Sequence, residues 1–156
     1  MTATFDKFYS YLEELTSSYA RLSLLLKEKI DAVERDDLGK LEEIMGEEQV
    51  YLLISRGFDQ NIAEYRKTLG LKGDKLSDIV QEVPGEFRDE FAGIYSRLKE
   101  SLDEAKTLND NCQKLIKTKL GTVNKRLREL EGAKTANYGD PKKPAAPGSH
   151  IFSKSI

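Results

Sequence analysis

The sequence contains no tryptophan, one histidine and one cysteine. With Cys112 alone, no internal disulfide can form, and the chain fits a reducing compartment. With His150 alone, near the end of the sequence, a Ser-His or Cys-His pair would draw its base from a stretch without apolar periodicity. The Glu-x-x-His pairs that hold metals inside helical bundles are missing too. "GLKGDK" has neither the spacing nor the terminal Lys-Ser or Lys-Thr of a phosphate-binding loop. Long apolar runs are equally scarce: "LSLLL" and "VYLLI" fall far short of the roughly 20 residues a membrane-spanning helix needs. The start, "MTATFDKFYSYLEEL", lacks the basic head and unbroken apolar stretch of a secretory signal. The expectation is a cytoplasmic protein that is not an enzyme, with no catalytic residue, cofactor or metal and no insertion into membranes.

What the chain does have is charge and leucine. Charged residues make up 33% against 38% apolar, with only four prolines, a mixture that favours long helices over strands. Its 156 residues suffice for one domain. Phe5, Phe8, Leu12, Leu15, Tyr19, Leu22, Leu26, Ile30 and Val33 recur near heptad spacing, which predicts a first helix over about 4–34. The phase breaks at "ERDDLG", where Asp36 or Asp37 suits the N-cap of a second helix over 37–69; one continuous rod is the rival, since no proline intervenes. Its stripe is Leu38, Leu41, Ile44, Tyr51, Ile54, Phe58, Ile62, Tyr65 and Leu69, interrupted by Glu47 and Glu48, and Gly70 supplies a left-handed end. A short helix over 76–83 halts before Pro84, and a last helix spans 84–131 with Cys112 on its seam. In "LNDNC", Asn109 or Asn111 either fixes register as a buried amide or faces solvent. The predicted fold is all-α: an antiparallel three-helix coiled-coil bundle over 1–131, with one overlong C-terminal helix, followed by a disordered tail over 132–156.

The lengths are unequal. At 1.5 Å per residue the first two helices span roughly 45–50 Å and the last roughly 70 Å. The surplus carries Leu120, Val123, Leu127 and Leu130 at helical spacing, with Gly121 weakening its base. This stripe reads as a partner-docking surface. Two rivals stand beside it: the helix ends early or folds back over its own bundle, or the stripe pairs with its copy in a homodimer. The tail, "GAKTANYGDPKKPAAPGSHIFSKSI", keeps only Tyr138, Ile151 and Phe152 as isolated apolar anchors. The net charge of −2 names no partner. The stretch from Lys114 to Lys143 is basic, which with no nucleic-acid motif present reads as a solvated face rather than a nucleic-acid or membrane contact.

The order of "DDLGKLEEIMGEEQVYLL", "LSDIVQEVP", "LNDNCQKLI" and "NYGD" resembles the FlgN family of flagellar export chaperones across nearly the whole chain. The Lys/Pro-rich end beyond Tyr138 departs from that pattern. The resemblance implies a small cytoplasmic helical protein that binds hook-filament junction subunits of the FlgK/FlgL type and brings them to the flagellar type III export gate. It further implies that the C-terminal part, here Leu120 to Leu130, engages the cargo, and that Tyr138 contributes to docking at a gate component. The alternative kept beside it is a self-associating structural coiled coil.

Overall fold

The computed structural model describes residues 2–132 together with residues 152 and 156. Among these, all regular structure is helical: α1 (Ala3–Glu34), α2 (Leu38–Leu69), a single-turn α3 (Leu76–Ile79), a 3₁₀ turn (Gly85–Phe87) and α4 (Arg88–Glu131). The three long helices run up, down and up. Phe8 of α1 meets Tyr65 of α2 and Phe91 of α4 at one end, while Lys119 of α4 reaches Glu34 and Asp36 at the other. Helix α1 is the middle of the assembly: α4 packs along it, α2 packs on it more lightly, and the backbones of α2 and α4 hardly approach each other.

The turn at "ERDDLG" is built from two adjacent aspartates with opposite tasks. Asp36 takes a left-handed φ of 55°. Its N–H donates to the Val33 carbonyl, and the Asp37 N–H donates to that of Ala32, which closes α1 with the paired bonds of a Schellman end. An Asp is tolerated there because a short polar side chain lowers the cost of the left-handed region. The Asp37 carboxylate then accepts from Lys40 N–H at 3.1 Å and caps α2. Gly70 closes α2 the same way, at φ 69°.

Three sequence expectations need correction here. The short helix is one turn, not 76–83, because the residue before Pro84 is disfavoured in helical geometry and the chain tightens through 3₁₀-type bonds after Ile79; Val80 and Val83 are nonetheless buried and, with Leu76 and Ile79, plug this end of the bundle. Helix α4 starts at Arg88, after a 3₁₀ turn whose Phe87 N–H donates to the Pro84 carbonyl. The α1 seam is Phe8, Leu12, Leu15, Tyr19, Leu22, Leu26, Lys29 and Val33, all buried. Lys29, not Ile30, keeps the phase.

Lys29 is met by Glu48, the residue that interrupts the α2 stripe. Its Nζ lies 2.9 Å from Glu48 Oε1 and donates to Oε2 at 3.1 Å, with the two residues 3% and 2% exposed. Asn109 is buried on the α4 seam as well, so of the two readings of "LNDNC" the interior one holds for this residue. In the loop after α2, the Glu82 carboxylate accepts from the N–H groups of Lys72 and Gly73. A Cβ at Gly73 would sit 2.6 Å from that of Asp78, so this close approach requires glycine.

Burial pushes the Tyr19 phenol from its ordinary 10 up to about 12, and it raises Tyr11 in the same direction. The fold therefore holds the neutral phenol. Stability from this source is fully present below pH 10 and is lost as pH climbs through about 12, to the extent of about 3 kcal/mol. Urea midpoints measured across the alkaline range should fall accordingly, and the fall should be shallower in Tyr19→Phe.

Candidate docking surface at the end of the bundle

The end of the bundle is marked by one side chain. Lys119 Nζ donates to the Glu34 carbonyl at 3.0 Å and to Asp36 Oδ1 at 2.8 Å, placing a cation where the α1 dipole is negative. Helix α4 has 44 residues against 32 in each of α1 and α2. Beyond Lys119 it continues to Glu131, roughly 18 Å of helix at 1.5 Å per residue.

The apolar stripe lies on this projection. Leu120, Val123, Leu127 and Leu130 are 43%, 50%, 49% and 74% exposed, at offsets that keep them on one face. Both the fold-back and the early-end readings fail over the described residues, since α4 runs to Glu131 with these four side chains uncovered. Tyr138 lies outside the described residues, so the structure brings together four of the five expected positions. Gly121 has open space around it, and no packing demand explains it.

The stripe does not begin on a bare rod. At its base, α1, α2 and α4 enclose a pocket of about 300 Å³, walled by Ala32, Val33, Leu38, Leu41, Met45, Ile116, Leu120 and Val123 and rimmed by Lys29, Asp36, Asp37 and Lys119. Leu38 is 76% exposed; the expected α2 stripe placed it in the core, and it stands at the pocket mouth instead, because α2 begins beyond the point where α1 could cover it. This pocket was missed in the sequence. The available signal was Leu38, Leu41 and Met45 at helical spacing directly after the turn. Along 117–131 the helix carries Lys117, Lys119, Lys125, Arg126 and Arg128 against Glu129 and Glu131, so the surface is apolar with a basic border.

The area decides what kind of occupant fits. Full burial of an aliphatic side chain stabilises by about 1.5–3 kcal/mol, and these four are only partly free of protein already, so covering them gives roughly 4–6 kcal/mol. Association alone costs about 4 kcal/mol or more. A partner must therefore fill the pocket as well as cover the stripe.

The Cys112 thiol is buried, and burial raises its pKa, with Glu48 adding to the rise and Lys29 opposing it; a thiol so held is a poor nucleophile. Among the described residues, no three of the His, Cys, Asp and Glu side chains gather as metal ligands would. In the same set, no helix is long and apolar enough to cross a membrane.

The fold is a three-helix bundle whose longest helix projects an apolar face with a basic border beyond its two companions. Residues 1–146 match the model of the family described as FlgN protein, and the chain belongs to that family, which is a family of flagellar chaperones. No curated protein and no solved structure matches the chain.

Proposed function

We propose that this chain is a cytoplasmic type III export chaperone. It holds hook-filament junction subunits of the FlgK/FlgL type on the α4 projection, through Leu120, Val123, Leu127 and Leu130, and delivers them to the flagellar export gate, with Tyr138 contributing to docking at a gate component. The observation that carries this reading is the exposed stripe running out of an apolar pocket. Export cargo whose terminal helices normally pack inside a filament presents amphipathic faces when free, and such a helix laid along α4 with one anchor in the pocket would complete a small bundle.

Removing everything after Thr118 should abolish binding of a purified FlgK- or FlgL-type subunit while the remaining bundle keeps its helical circular dichroism. Undiminished affinity of the shortened chain would overturn the proposal.

The self-associating reading shares the apolar stripe, but each projection beyond Lys119 carries Lys125, Arg126 and Arg128 against Glu129 and Glu131, and two such net-positive surfaces brought face to face repel. Sedimentation should accordingly find a monomer at micromolar concentration. A dimer that dissociates on substitution of the stripe would favour the structural coiled coil instead.

A further inference from the structure

Phe152 and Ile156 belong to a stretch that composition assigns to the tail, yet both are half-buried and packed against the main core. The Phe152 ring stacks on Tyr19 of α1, with centroids 6.4 Å apart and planes 19° from parallel. Tyr19 is 1% exposed with that ring against it. A side chain from outside the bundle reaches this core only where the helices part. The structure supplies such a place, because α2 and α4 both pack on α1 but hardly on each other, which leaves a groove with α1 as its floor.

We propose that the groove over Tyr19 is a peptide-docking site whose resident occupant is the chain's own Phe152–Ile156 segment, held in cis. This site is separate from the α4 projection and does not depend on the function proposed above. The chain is long enough for the connection. From Glu131 back to Lys119, and from Glu34 back to Tyr19, the helical rise amounts to roughly 40 Å, while the twenty residue-to-residue steps from Gly132 to Phe152 span at most roughly 66–72 Å. Because it is covalently joined to the bundle, the segment binds without the translational cost that a second molecule would bear. A contact of two apolar side chains, too weak to hold a separate peptide at micromolar concentration, is thereby retained. The same weakness leaves the groove open to any apolar-aromatic segment that binds more tightly.

The absence of tryptophan makes the test direct. Phe152→Trp in the full chain introduces a single emitter at the site. Its emission should lie to the blue of the same variant in denaturant, with acrylamide quenching several-fold lower, and both readings should be identical at micromolar and hundred-micromolar protein. Adding Ile156→Ser should move both toward the denatured values. In the unsubstituted protein, a nuclear Overhauser contact between the Phe152 and Tyr19 rings covers the case in which indole is too large for the seat. A denatured-like spectrum together with no ring-to-ring contact would overturn the proposal. So would shielding that grows with protein concentration, since the occupant would then be the end of a second copy.

Discussion

Lys29→Ala is expected to lower the unfolding free energy by about 3–5 kcal/mol, because it leaves Glu48 as an unpaired charge in the interior. Both partners are almost fully shielded, with Nζ within 3.1 Å of both carboxylate oxygens, so little water can take the place of the lost ammonium. The pair sits at a sensitive location: next to it the α1–α2 contact is a small satellite core of Leu25, Ala32 and Ile44, with Leu41 and Tyr51 partly buried against it, and Cys112 of α4 lies near enough to feel both charges. For a chain of this length, each kcal/mol moves the melting temperature by about 2–4 °C, giving a drop of roughly 6–20 °C. Replacing both partners together, as Lys29→Met with Glu48→Leu, should restore stability or exceed it by about 1–4 kcal/mol, since the desolvation of two charges is then avoided. Thermal and urea unfolding of the single and double variants read this out. A single-variant loss below about 1 kcal/mol, of the size typical of exposed pairs, would show that the pair is hydrated in solution.

The second large effect concerns the projection. Val123→Asp combined with Leu127→Asp should weaken binding of a FlgK/FlgL-type subunit by at least about a hundredfold, because two side chains whose exposed halves are together worth about 1.5–3 kcal/mol on burial are replaced by carboxylates that would have to be desolvated against an apolar partner. Both positions are about half exposed, and Leu127 lies beyond the pocket and the end of α1, so the melting temperature should change little. Isothermal titration of the purified pair measures the first quantity and calorimetric unfolding the second. This variant also separates the stripe from the tail, which truncation after Thr118 removes together with it. Loss of affinity on truncation but not on double substitution would move cargo binding from the stripe to the residues behind it.

Much of the fold was legible because its determinants are local. The α1 seam from Phe8 to Val33, the two aspartates that stop one helix and start the next, and the left-handed Gly70 each express a relation between residues a few positions apart. Lys29 was legible in principle: it stands three residues after Leu26 and four before Val33, and Ile30 displaced it only because a lysine on a seam looks like an error until its partner is known. The burial of Glu48 reads as an interruption of the α2 stripe for the same reason. The pocket below Leu120 was not legible, since its walls come from three helices. Nor was the stacking of Phe152 on Tyr19, a contact between residues far apart in the sequence with no local signal in either.

By itself the sequence determined the class of the molecule, the spacing of its apolar faces and the surplus length of the last helix, because periodicity and capping act within a turn or two of the chain. Only the tertiary structure decided where that surplus begins, which charge finds which, and what the end of the chain rests against. Those outcomes are set by the register of helices far apart in sequence, and register is a property of the packed bundle.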